Sequence, residues 1–187
     1  MQINLARIML RSSINGPGER FVIWVQGCPL ACPGCWNPDT WSFEKRWLRN
    51  TRDIIEQIRA AEDLEGVTFT GGEPFMQAAA LADIGEAVQQ MGRSVFVFSG
   101  YTLDELSTEK ARRLLSVTDV LVSGRYDQTM PTSDHPFCSS SNQQVHFLTK
   151  RYGPENLLQR AEAELHIAAN GQLVLTGFPS KDWLSHS

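Results

Sequence analysis

Four short runs of β-branched, aromatic and aliphatic residues recur along the chain, and the segments between them change to helical spacing. FVIWVQ at 21–26 is stopped by Gly27, VTFT at 67–70 runs into Gly71-Gly72-Glu73-Pro74, SVFVFSG spans 94–100 and DVLVSGRY spans 119–126. Runs of this length and composition read as buried strands. Between them, residues 52–62 set Ile54, Ile55, Ile58 and Ala61 on one stripe, and 76–90 and 103–115 repeat a helical pattern, the former despite Gly85. Strands that alternate with helices form crossover units, which force the strands parallel. The expected fold is α/β, a partial (β/α) TIM-like barrel of mainly parallel strands. Parallel strands share a carboxyl end, so the segments after Gln26, Thr70, Phe98 and Val122 are expected to meet on one rim.

The tail follows a different pattern. Residues 154–163 read as a short helix, and ELHIAANGQLVLTG reads as a β-hairpin turning at Asn170-Gly171, a dipeptide that tolerates positive φ. With 187 residues, 42% of them apolar, the chain suits one well-buried core, and 1–187 is expected to be a single domain. The formal charge of −4 comes without basic runs or stripes, so nucleic acid is not an expected ligand. No apolar run approaches the roughly 20 residues that span a bilayer, and MQINLARIML has no apolar signal region, so neither membrane insertion nor export is expected. The expected location is the cytoplasm.

The cysteines agree with a reducing compartment. Cys28, Cys32 and Cys35 lie within eight residues, whereas Cys138 is far away. Pro29, Pro33 and Gly34 shape a tight loop between the three. Thiolates suit an iron–sulfur cluster or zinc, but a closed zinc site takes a fourth nearby Cys or His, and none follows before His135. Three cysteines on a cubane cluster leave one iron open, and the amine and carboxylate of an amino acid can chelate it. S-adenosylmethionine chemistry needs such an open iron. A zinc site completed by His135 or Cys138, and a plain electron-transfer cluster, are the alternative readings.

The spacing Cys28-x3-Cys32-x2-Cys35 resembles the cluster motif of the radical SAM superfamily. Asn15-Gly16-Pro17-Gly18 with Arg20, CPGCWN at 32–37, Thr40-Trp41, GGEP at 71–74, FSGYTLDEL at 98–106, VLVSGRY at 120–126 and SSNQQVHFL at 140–148 narrow the resemblance to the activating enzymes of anaerobic ribonucleoside-triphosphate reductases. It covers about residues 13–150, leaving 151–187 as an extension. It implies a [4Fe–4S] cluster held by Cys28, Cys32 and Cys35, reductive cleavage of S-adenosylmethionine to a 5′-deoxyadenosyl radical, and a glycyl-radical enzyme as protein substrate. Reduced flavodoxin or a ferredoxin-like protein is the implied electron donor. The residue before the last cysteine, aromatic in many radical SAM proteins, is Gly34, and the aromatic ring comes one place later at Trp36.

The same resemblance carries cofactor binding to Gly34, Trp36, Asn37, Gly71, Gly72, Glu73, Pro74 and Ser99. Gly71 and Gly72 permit a close backbone approach and Glu73 suits the methionine amine, against the plain reading of a strand-to-helix turn opened by Pro74. Trp36 reads as an adenine platform or as a core tryptophan, and Ser99 as a small residue facing the ribose. Arg125 reads as a contact for the cofactor carboxylate or as a solvated arginine. Asn142 and Gln143 read as turn residues or as bridges near the cofactor. His135, His146 and His166 lack ligand-like spacing, and Cys138 reads as a small buried hydrophobe. The chain departs from the resembled family at Ser123, Cys138 and Ser139, which leaves open a different protein, peptide or small metabolite as the radical acceptor. A non-catalytic iron–sulfur or zinc module is the reading from another class.

Overall fold

A computed structural model describes residues 1–132, 134, 137–157, 163–167, 171 and 173–177. The strands are β1 (Gln2–Ser12), β2 (Arg20–Val25), β3 (Trp47–Asn50), β4 (Gly66–Gly71), β5 (Ser94–Ser99), β6 (Val120–Ser123) and β7 (Gln144–Phe147), followed by β8 (Ala163–Ile167) and β9 (Leu173–Gly177). The helices are α1 (Thr51–Ala60), α2 (Ala78–Gln90) and α3 (Glu109–Ser116). Seven strands form one sheet in the order β3-β1-β2-β4-β5-β6-β7. Its centre, β2, β4, β5 and β6, is parallel, and β1, β3 and β7 join antiparallel at the sides.

The four central strands are the four read from the sequence. All six residues of β2 and all four of β6 are buried, as expected for strands covered on both faces, so their sequence shows no polar alternation. Phe21, Ile23, Val25, Val67, Phe69, Val95, Val97 and Leu121 point to the side that carries the helices, where Ile54 and Ile58 of α1, Leu81, Ile84 and Val88 of α2 and Leu114 of α3 complete the main core. Burying an isoleucine such as Ile58 contributes about 2 kcal/mol. The opposite face bears Met9, Val22 and Trp24 toward one side and Phe96, Val120 and Val122 toward the other.

The sheet is open, as a partial barrel requires: β3 and β7 are its two edges, and seven strands that end on short antiparallel edges fall below the eight or so that close one. The expected helix at 103–115 is a 3-10 turn at Leu103–Glu105 and then α3, which starts afresh where the Thr108 hydroxyl accepts from the Ala111 N–H at 3.2 Å. Of the expected helix at 154–163, the described part is a 3-10 turn at Pro154–Leu157 and the first residue of β8 at Ala163, while 158–162 lie outside the described residues. The hairpin is present, with Leu165 opposite Leu175 and His166 opposite Val174; Asn170 lies outside the described residues, and Gly171 has φ +81°.

The end of the sheet away from the strands' carboxyl termini is closed by a buried arginine. Arg20 Nε donates to Thr68 Oγ1 at 2.8 Å, Nη1 to the Pro17 carbonyl at 2.9 Å and to Ser94 Oγ at 3.0 Å, and Nη2 to the Val67 carbonyl at 2.7 Å. Burial lowers its pKa, and this full set of acceptors compensates the charge for the loss of water. No helix among the described residues is long and apolar enough to cross a membrane.

Candidate active site

The carboxyl ends of all four parallel strands open into one cavity of about 380 Å³. Cys28, Cys32, Cys35, Trp36 and Asn37 line it from the loop after β2, Gly71, Gly72 and Glu73 from the end of β4, Ser99 and Gly100 from β5, and Gly124 and Tyr126 from β6. The rim expected from the sequence is therefore present. Gly34 and Pro74 are not among its lining residues: Gly34, at φ +74°, turns the cysteine loop, and Pro74 opens a 3-10 turn over Pro74–Gln77.

Backbone hydrogen bonds join the cysteine loop to its neighbours. Gly27 N–H donates to the Thr40 carbonyl at 2.8 Å and Cys28 N–H to the Trp41 carbonyl at 3.1 Å, while Gly72 N–H donates to the Val25 carbonyl and Glu73 N–H to the Gly27 carbonyl at 2.8 and 2.9 Å. Gly72 is required here by space rather than by φ, since a Cβ would lie 2.5 Å from the Gly27 carbonyl oxygen. The glycine pair thus lets the turn after β4 lie directly against the start of the cysteine loop.

The three thiols are unpaired and half-buried. Burial pushes the Cys28 and Cys32 thiols above their ordinary pKa, opposed by backbone N–H groups of Leu30 and Ala31 at Cys28 and of Tyr126 at Cys32. Asn37 N–H donates to Cys35 Sγ at 3.4 Å. N–H groups aimed at sulfur stabilise thiolates and tune a cluster's potential. Among the described residues no group of three or more His, Cys, Asp or Glu is set to hold a single ion. Three thiols lining one cavity are the donor set that an iron–sulfur cluster takes. Cys138 does not complete the set. It is buried against Phe96, Val120, Val122 and Phe137, with its thiol pushed up to about 11 by burial. His135 lies outside the described residues.

Glu73 is the most perturbed carboxyl of the cavity wall. It is 1% exposed, and burial raises its pKa to about 7 despite hydrogen bonds to Oε1 from Phe75 N–H and the Ser99 hydroxyl and to Oε2 from Gly100 N–H, each 2.9 Å. The Ser99 hydroxyl accepts from Tyr101 N–H as well, so its contacts hold Glu73 and the turn after β5. Trp36 is 36% exposed at the cavity and belongs to no core cluster. Arg125 makes a bidentate pair with Glu105 at 2.8 Å for both contacts and does not line the cavity. Gln143 does line it, with its amide tied to Ser139 and Ser140 N–H and to the Gly124 carbonyl; Asn142 donates to the Arg125 carbonyl. His146 Nε2 lies 2.8 Å from Ser123 Oγ, and His166 Nε2 lies 3.3 Å from Glu164. Arg7, Trp24 and Thr70 line the cavity without a sequence motif marking them as site residues, and Trp41 and Phe98, which fall within the motifs Thr40-Trp41 and FSGYTLDEL, line it too.

Residues 14–146, about 70% of the chain and including the cysteine loop and every parallel strand, match the family described as "4Fe-4S single cluster domain". The chain belongs to that family. The anaerobic ribonucleoside-triphosphate reductase-activating protein of Escherichia coli (strain K12) is 32% identical to this 4Fe-4S single cluster protein over 146 residues, 72% of this chain and 92% of the relative. The pyruvate formate-lyase-activating enzyme of Listeria monocytogenes serovar 1/2a is 34% identical over 118 residues, 59% of this chain and 48% of that enzyme. The crystal structure of QueE from Escherichia coli overlays with a TM-score of 0.44 and 22% identity across 55% of this chain and 54% of that one, too distant to carry an argument. The radical SAM assignment made from the motifs stands, and with it the cofactor pair of a [4Fe–4S] cluster and S-adenosylmethionine.

Proposed function

We propose that Cys28, Cys32 and Cys35 hold the [4Fe–4S] cluster, that Gly71, Gly72 and Glu73 receive the amino acid end of S-adenosylmethionine, and that the enzyme installs a glycyl radical on an anaerobic ribonucleoside-triphosphate reductase. The observation that carries this reading is the meeting of the three thiols with Glu73 in one cavity at the ends of four parallel strands. We read the sheet, with its helices on one face, as an open partial barrel.

Once bound and given one electron by a reductant, the cofactor pair would supply reductive C–S cleavage to methionine and a 5′-deoxyadenosyl radical able to abstract hydrogen from a glycine Cα. The chain's residues orient and exclude. Glu73 provides a carboxylate that accepts from the N–H groups of the methionine amine, and Ser99 and the Gly100 N–H hold that carboxylate in place. Trp36 and Asn37 form the wall beside the last cysteine and suit the adenine. Reduced flavodoxin or a ferredoxin-like protein fits as electron donor.

One observation favours a second acceptor, another protein or a peptide. Ser139 and the hairpin residues Leu175, Thr176 and Gly177 line the same cavity, and the hairpin lies beyond the family match. The test is anaerobic reconstitution, reduction and measurement of 5′-deoxyadenosine. Release of deoxyadenosine that stops in Cys32→Ala supports the reading, and its absence from protein with a full cluster rules it out.

A further inference from the structure

Arg7 occupies a position that strand periodicity would not give it. Leu5 of β1 faces the helices opposite Val25, and two residues on Arg7 would face the same way. The register instead steps from Leu5↔Val25 to Arg7↔Trp24, so Ala6 is an extra residue and β1 carries a bulge. Beyond it Ile8 takes the helix side, and Arg7 and Met9 turn to the opposite face. Bulges that re-aim a side chain concentrate beside active sites.

The guanidinium carbon lies 4.2 Å from the Trp24 ring centroid, a cation–π stack. Nε is buried without a hydrogen-bond partner, and among the described residues the side chain has no ion pair. The acid that acts on it electrostatically, Asp39, is paired with Arg46 at 2.9 Å. A half-buried arginine without an anion has given up water for one aromatic face, which costs free energy that a bound carboxylate would recover.

Arg7 stands where two cavities meet. One is the cofactor cavity. The other, about 550 Å³, runs between β1 and the hairpin and is lined by Arg7, Trp24, Asp39, Arg46, His166 and Leu175, with no cysteine and no part of the turn at Gly71–Glu73. Arg7, like Trp24 and Leu175, therefore lines both the cofactor cavity and the groove under the hairpin.

We propose that Arg7, stacked on Trp24, is a carboxylate site for the radical acceptor: the groove under the hairpin takes an extended peptide segment whose acidic group pairs with the guanidinium and so brings the neighbouring glycine to the cofactor cavity. This rests on the reading of the chain as a glycyl-radical-installing enzyme. S-adenosylmethionine also carries a carboxylate, and the experiment separates the two sources.

The probes are a blocked glycine-containing pentapeptide with one glutamate and its glutamine twin, titrated by calorimetry into cluster-reconstituted protein with and without S-adenosylmethionine. The expected result is a preference of about tenfold for the glutamate peptide, lost in Arg7→Gln and partly kept in Arg7→Lys, with cofactor affinity unchanged. Equal or absent binding of both peptides overturns the proposal, as does a preference that survives Arg7→Gln. A loss in that variant of cofactor affinity alone assigns the carboxylate to S-adenosylmethionine and likewise overturns it. Because binding is read without turnover, failure of the proposed radical chemistry would show separately as deoxyadenosine missing from protein that still discriminates the peptides.

Discussion

The Ser99 hydroxyl donates to Oε1 of Glu73 at 2.9 Å, tying the end of β5 to the carboxyl group that closes β4. Both residues are almost fully buried, and the pair sits on the wall of the cavity that the three cysteines share.

Glu73 titrates at about 7 because burial disfavours its charged form. The folded protein then binds a proton more tightly than the unfolded chain, so this group's contribution to stability is fully present below pH about 4.5 and is lost as pH rises to about 7. A methionine amine whose N–H groups donate to Glu73 favours the carboxylate and expels the proton. The Glu73 contribution to S-adenosylmethionine affinity is expected to rise up to about tenfold per pH unit below 7 and to level off above it. Calorimetry in buffers of different ionisation enthalpy should show proton release at pH 6.5 that Glu73→Gln reduces.

Ser99→Ala removes one hydrogen bond to the charged form of Glu73. Its loss is expected to raise the Glu73 pKa further and weaken S-adenosylmethionine binding about tenfold, at a cost of about 1–2 kcal/mol. A pH–affinity profile displaced to higher pH is the signature that distinguishes this from simple misfolding.

Gly72→Ala places a Cβ 2.5 Å from the Gly27 carbonyl oxygen and 3.1 Å from that of Thr40, both backbone atoms. The turn and the cysteine loop must separate. Iron content after reconstitution is expected to fall along with cofactor affinity, whereas Gly92→Ala, with nothing within 4 Å of its Cβ but a φ of +74°, is expected to cost only stability.

Arg20→Met leaves Thr68, Ser94 and the Pro17 and Val67 carbonyls short of a donor in a buried site. A loss of about 3 kcal/mol is expected, read as a lowered chemical-denaturation midpoint. Iron content of the folded fraction is expected to stay normal, since the network lies at the other end of the sheet.

Legibility in the sequence followed burial. The parallel strands at Arg20–Val25 and Val120–Ser123 are sealed on both faces and read as continuous apolar runs. β1 escaped notice because Ala6 and a second irregularity between Met9 and Ser12 break its alternation, and β3 and β7 are four-residue edge strands with mostly exposed or half-buried side chains. The thiols and the turn at Gly71–Glu73 were legible because their residue types carry the chemistry. Arg7 was not, since the bulge that aims it has no sequence signature and the element bearing it was not recognised. The bond of Ser99 to Glu73 depends on two strand ends being adjacent, which only the assembled sheet supplies.

The most direct test of the central claim is the electron paramagnetic resonance spectrum of the reconstituted, reduced protein mixed anaerobically with S-adenosylmethionine and an anaerobic ribonucleoside-triphosphate reductase. The expected result is a glycyl-radical doublet that is absent when Cys28→Ala replaces the wild type. Deoxyadenosine without a doublet would contradict the reductase as acceptor, and the absence of both from protein with a full cluster would contradict the radical chemistry itself.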